Sequence, residues 1–149
     1  MKTLHFSIDI AAPVNIVWST MLDDETYRVW TGAFHEGSRF DGDWNVGSTI
    51  RFVGPNDDGT ESGLIATVVE NRPHEFVSLE YAGQVDRGAD DLMSDFARSI
   101  AGTHENYSFS ESGGTTTLTV DLETDEDYAG MFEDMWPKAL DKLKDVAES

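Results

Sequence analysis

Leu4, Phe6, Ile8 and Ile10 alternate with His5, Ser7 and Asp9, the period of two that marks a strand with one wet face. Ala12-Pro13 then opens a stretch in which Val14, Val17, Trp18 and Met21 recur at helical spacing, with Pro13 suited to a first helical turn. Asp23 or Asp24 can cap a second short helix that carries Tyr27 and Trp30. From His35 the pattern becomes strand and turn. Strands are predicted over Gly37 to Phe40, Ser48 to Val53, Ser62 to Asn71 and Phe76 to Tyr81, punctuated by Asp41-Gly42, Asp58-Gly59 and Arg72-Pro73. Connections this short favour antiparallel neighbours.

After Gln84 the composition shifts. Leu92, Phe96 and Ile100 recur every four residues within Asp90 to Ala101 and predict a small helix or ordered loop inserted over the sheet. Two more strands follow, Glu105 to Glu111 and Thr115 to Glu123, joined through Ser112-Gly113-Gly114 in a tight hairpin. The last segment is the long helix. Tyr128, Met131, Phe132, Met135, Ala139, Leu140, Leu143 and Ala147 form a broad apolar stripe, and Pro137 should kink or break it near Trp136. The chain thus reads as α+β, in the order β-α-α-β-β-β-β-β-β-α, with an antiparallel sheet curved around a C-terminal helix.

A length of 149 residues and 39% hydrophobic content suit a single domain over residues 1–149 with one core. No cysteine is present, so disulfides, thiolate metal sites and thiol nucleophiles are excluded. The first ten residues alternate and do not form a signal peptide, and no apolar run is long enough to span a membrane, so a cytoplasmic location is expected. With 29 acidic against 10 basic residues the formal charge is −19, a field that repels phosphate backbones and anionic headgroups. Nucleic acid and membrane surfaces are therefore not expected as partners.

Candidate chemistry is sparse. His5, His35, His74 and His104 are scattered singly, without metal-ligand spacing, and neither a metal nor a catalytic role is expected for them. The acidic turns Asp41 to Gly47 and Asn56 to Glu61 fail the calcium-loop pattern, because Phe52 stands where the first loop needs its glutamate and the second starts from Gly54. Glu105 shares strand parity with Tyr107 and Phe109. If that face lines a cavity, a carboxylate sits among aromatic rings, where desolvation would raise its pKa. The simpler expectation is that Glu105 reaches solvent or pairs with a cation such as Arg51. Large rings are in surplus. Trp30, Phe34, Phe40, Trp44, Phe52, Tyr81, Tyr107 and Phe109, with Met131 and Met135 from the helix, are candidates, together with Glu105, for lining an internal cavity.

The element order resembles the START-like (SRPBCC) superfamily of helix-grip folds. More specific are Ala12-Pro13 with Val17-Trp18, Tyr27 with Trp30, Gly37-Ser38-Arg39-Phe40, Gly42-Asp43-Trp44 with Gly47-Ser48, Glu105-Asn106-Tyr107, and Trp136 with Leu140 and Leu143. These are similar to the branch related to the C-terminal domain of heat-shock-protein-90 ATPase activators. The resemblance implies a helix-grip fold enclosing a cavity for a small apolar or aromatic molecule, in a monomer or weak dimer without a cofactor. A chaperone or other protein partner is the alternative it implies, and a cyclase- or hydrolase-type enzyme a second alternative. Glu105 alone does not compose a catalytic site.

Overall fold

A computed structural model describes residues 1–149. The elements are β1 (Lys2–Ile10), α1 (Val14–Leu22), α2 (Asp24–Trp30) followed by a 3₁₀ turn (Thr31–Ala33), β2 (Arg39–Asp41), β3 (Thr49–Pro55), β4 (Glu61–Arg72), β5 (Phe76–Asp86), β6 (Ala89–Asp91), α3 (Asp95–Ile100), β7 (His104–Ser112), β8 (Thr115–Thr124) and α4 (Glu126–Glu148). Every strand pairs antiparallel, in the order β1-β8-β7-β5-β4-β3-β2, with β6 attached to β5. This is the helix-grip architecture that the residue pattern predicts. No helix is long and apolar enough to cross a membrane.

The alternation written into the strands decides what faces α4. In β8, Thr116, Leu118, Val120, Leu122 and Thr124 are buried and their neighbours are not; in β7 the buried positions are Glu105, Tyr107 and Phe109. The packed core lies where the inner face meets α1 and the later turns of α4. There Ile10, Val17, Met21, Leu118, Val120 and Leu143 are sealed from solvent. Helix α4 is capped by Asp125, whose Oδ1 accepts the amide of Asp127 at 2.9 Å, and it buries Ala129, Trp136, Ala139, Leu140, Leu143 and Ala147. Its first turns behave differently, since Tyr128 and Met131 remain exposed.

Three details depart from the sequence pattern. Helix α4 continues through Pro137 without a break. The carbonyl that loses its donor belongs to Glu133, an exposed position where water can take the donor's place. The small helix or ordered loop expected within Asp90 to Ala101 is a six-residue helix preceded by a strand, because Arg87 and Gly88 both adopt positive φ, 47° and 84°, and fold the chain into a β5–β6 hairpin. Asp91 then ends β6 by accepting the amides of Met93 and Ser94, and Ser94 caps α3 through the amide of Ala97. Finally, Asp23 occupies the N-cap position of α2 but its side chain makes no capping hydrogen bond.

Two bulges shape the sheet. Ala82 is the extra residue of β5 between the pairs Ile65–Gly83 and Ala66–Tyr81, and Val69 is the extra residue of β4 between Val68–Leu79 and Glu70–Ser78. Next to the first bulge, Tyr81 leaves the β5–β7 ladder and exchanges backbone bonds with Thr103 and Gly102, both 2.8 Å. Glycine is required where the curved strands press together. A Cβ on Gly63 would lie 1.7 Å from the Phe52 carbonyl oxygen, whereas one on Gly130 of α4 would meet nothing within 4 Å. The same substitution should therefore act in opposite directions: Gly63→Ala should cost on the order of 2 kcal/mol or more, and Gly130→Ala should gain up to ~1 kcal/mol. Urea denaturation of the two variants beside the wild type measures both.

Candidate functional site

Between the inner face of the sheet and the first half of α4 lies a cavity of about 530 Å³. Tyr27, Trp30, Thr31 and Phe34 wall it from α2 and the 3₁₀ turn; Phe52, Leu64, Tyr81, Glu105, Tyr107 and Leu122 form the sheet side; Tyr128, Met131, Phe132, Met135 and Trp136 come from α4, and Phe96 and Ile100 from α3. Trp136 holds this arrangement open. Its ring centroid lies 4.9 Å from that of Phe34, 6.0 Å from Trp30, 6.2 Å from Phe6 and 6.4 Å from Tyr107. An indole wedged among four rings spaces the helix from the strands, and the residues on its N-terminal side cannot close onto the sheet.

Glu105 is the polar centre of the cavity. It is 9% exposed, and the Tyr107 hydroxyl, two residues along β7, donates to its Oε2. Burial raises the Glu105 pKa above the ordinary carboxylate range; hydrogen bonding from Tyr107 and then Tyr81 opposes this without cancelling it. The phenols are pushed the same way. Tyr27, Tyr81 and Tyr107 all have raised pKa values, first through burial and then through the charge of Glu105, so they remain protonated donors. No ion pair is made to the carboxylate. Arg51 is forked onto Asp90, at 3.1 and 2.6 Å, and Arg39 at the cavity rim is forked onto Glu61, at 3.0 and 2.6 Å. His35, also on the rim, is bonded to the Pro55 carbonyl at 2.7 Å. The expectation that Glu105 reaches solvent or pairs with Arg51 is therefore overturned.

Of the residues proposed from sequence to line the cavity, Trp30, Phe34, Phe52, Tyr81, Glu105, Tyr107, Met131 and Met135 do so. Phe40, Trp44 and Phe109 do not. Phe109 is covered by α1, where Trp18 packs on it with centroids 5.1 Å apart. Phe40 and Trp44 stand behind the wall: Phe40 packs edge-on against Tyr27 at 5.0 Å, Trp44 lies 5.8 Å from Phe52, and the Trp44 indole donates to the Leu22 carbonyl at 3.1 Å. Their role is to brace Tyr27 and Phe52. Among the lining residues that sequence reasoning missed are Tyr27, Leu64, Leu122, Phe132 and Trp136, although parity with Phe52 across β3 and β4 could have found Leu64.

The two acidic turns are closed by their own backbone. Asp43 accepts the Asn45 amide at 2.9 Å and Asp58 the Thr60 amide at 3.0 Å, and no group of three His, Cys, Asp or Glu side chains is placed to hold a metal ion. What the cavity offers is an apolar volume, one buried carboxyl able to donate or accept, and three phenols around it.

Residues 11–148 match the sequence profile of the family described as activator of Hsp90 ATPase homolog 1-like protein. No curated protein sequence gives a significant match. Among solved structures, the Aha1 dimer from Colwellia psychrerythraea is 22% identical, with a TM-score of 0.72 over 99% of this chain and 97% of that one. A protein from Arthrobacter aurescens is 14% identical, with a TM-score of 0.74 over 97% of this chain and 85% of its own. DynU16, from the dynemicin biosynthetic locus, is 15% identical, with a TM-score of 0.72 over 100% of this chain and 48% of its own. Likeness at these identities shows the fold.

The raised Glu105 pKa has a direct thermodynamic consequence. The folded protein holds this proton more tightly than the unfolded chain, so Glu105 makes the protein less stable as pH rises above the unfolded pKa, with the penalty complete above the folded value. Glu105→Gln keeps the shape and can still accept from Tyr107. It should be more stable than the wild type at pH 7, and the difference should fade on acidification towards the ordinary glutamate pKa of about 4.3. Denaturant melts of both proteins between about pH 4 and pH 8 test this; a destabilised glutamine variant at pH 7 would contradict the desolvated carboxyl.

Proposed function

We propose that this chain, which belongs to the activator of Hsp90 ATPase homolog 1-like family, acts as one domain over residues 1–149 that binds a small apolar or aromatic molecule between its sheet and C-terminal helix. The observation that carries the reading is the cavity of about 530 Å³, which falls in the range of small-molecule pockets, roughly 300–1,000 Å³, and has a few convergent polar groups on apolar walls. An unfilled space of this size forfeits packing that a filled core would have. Trp136 and the bulge beside Tyr81 maintain it, and a ligand restores the missing contacts.

A second reading is supported by the surface beside the mouth. Leu92, Met93, Tyr128 and Met131 are 53%, 71%, 42% and 48% exposed, and Tyr128 packs on Phe96 of α3 with ring centroids 5.7 Å apart. Apolar side chains of this kind suit a protein partner, and the family's name makes the organism's own Hsp90 homologue the first to test by co-purification. The enzymatic alternative has less support. Glu105 and its phenols can supply a proton, but the carboxyl has no imidazole or amine against it to act as a matched base.

Ligand binding is tested by melting temperature with a panel of sterols, fatty acids, flavonoids and polyketides. A ligand at about a hundred times its Kd adds roughly 2.7 kcal/mol, a rise on the order of 5–10 °C for a chain of this size. Leu64→Trp, which places an indole in the cavity, should remove the rise without lowering the melting temperature of the free protein by a comparable amount. A panel without any rise at high concentration removes the reading.

A further inference from the structure

The cavity contains a carboxylate with no counter-charge, and its surroundings specify what would supply one. An ionised carboxylate has about four acceptor positions, of which Tyr107 and Tyr81 can fill at most two. The titratable groups facing it are all neutral phenols, Tyr27 from α2, Tyr81 from β5 and Tyr107 from β7. The cationic and imidazole side chains on the rim are engaged elsewhere, Arg39 with Glu61 and His35 with the Pro55 carbonyl, and the N-terminal ammonium of Met1, an exposed residue of the same lining, makes no ion pair with Glu105. The other acids of the lining, Glu123 and Asp125, and the overall charge of −19 add to the negative potential.

Around this charge stand aromatic faces. Trp30, Phe52 and Trp136 line the same space as the three tyrosines, and rings attract a cation through their negative faces. We propose that the molecule held in this cavity is a lipophilic amine, bound as its ammonium ion to the Glu105 carboxylate within a ring of aromatic side chains, with its apolar body towards Leu64, Leu122 and Met135. The inference rests on the ligand-binding reading above and names the ligand's class. An anionic ligand would set a second negative charge beside Glu105 in a poorly solvated space, and a neutral alcohol gains nothing from the missing counter-charge. An ammonium with N–H groups donates to the open acceptor positions and restores the balance of charge.

Three probes of one shape separate these cases: 4-phenylbutylamine, 4-phenylbutan-1-ol and 4-phenylbutanoate, titrated calorimetrically at about pH 8, where the amine remains protonated and Glu105 is further towards its ionised form than at lower pH. The amine should bind the wild type about tenfold or more tightly than the alcohol, the carboxylate least, and Glu105→Gln should remove the amine's advantage over the alcohol. Lowering the pH should weaken the amine as Glu105 takes up a proton, a loss that the raised folded pKa moves above the ordinary carboxylate range. If the alcohol binds as tightly as the amine, and Leu64→Trp blocks both, the cavity is a binding site and the cationic ligand is refuted. If the amine's advantage survives in Glu105→Gln, the assignment to this carboxylate is refuted. If none of the three binds while the apolar panel does, the amine inference falls alone; if neither set binds, the ligand-binding reading falls with it.

Discussion

The packing of Trp136 is the constraint on which the other features depend. Its indole touches rings from β1, β7, α2 and the turn after α2, so one side chain ties the long helix to both the sheet and the short helices. Past this point α4 lies on β1 and α1 through Ala139, Leu140 and Leu143, small and medium residues that allow close approach. Before it, the helix presents Met131, Phe132 and Met135, long side chains around a space. The division of α4 into a packed half and a spanning half explains why the chain has both a dry core and an open cavity. Aromatic packing of this kind is directional as well as apolar, which fixes the angle at which the helix leaves the sheet.

The polar centre is held in place by the sheet. Glu105 and Tyr107 share a face of β7 because side chains alternate, and the short spacing lets the phenol reach the carboxylate. Tyr81 arrives from the neighbouring strand, just past the end of its ladder with β7, where its backbone bonds to Thr103 and Gly102. Such a buried acid weakens the folded state, and the sealed end of the molecule, with Ile10, Val17, Leu118 and Leu143, offsets it. Stability and the candidate site thus occupy different ends of one helix.

Much of this was legible in the residues. The period of two in β1, the shared parity of Glu105 and Tyr107, and the stripe of α4 follow from local rules, and each has its expected counterpart in the structure. The misses have a common cause in long-range partners. Arg51 looks free to meet Glu105 until Asp90 is placed beside it, and Asp90 is there because Arg87-Gly88 turns the chain into β6. A local pattern read as a small helix or ordered loop therefore hid both a strand and the ion pair that keeps Arg51 from Glu105. Phe40 and Trp44 show the same limit, since composition marks them as aromatic but not which side of the Tyr27–Phe52 wall they occupy.

The four tryptophans fall into two pairs with respect to the cavity. Trp30 and Trp136 line it, while Trp18 is packed on Phe109 and Trp44 is braced behind Phe52. The Trp30 indole N–H is anchored on the Met21 carbonyl at 3.1 Å, as that of Trp44 is on Leu22, so neither ring is free to turn about its bond. Indole emission follows the polarity and mobility of its surroundings. With Trp30 anchored and Trp136 wedged among four rings, a change in their emission reports a change in what surrounds them, and the molecule carries an optical gauge of its own interior.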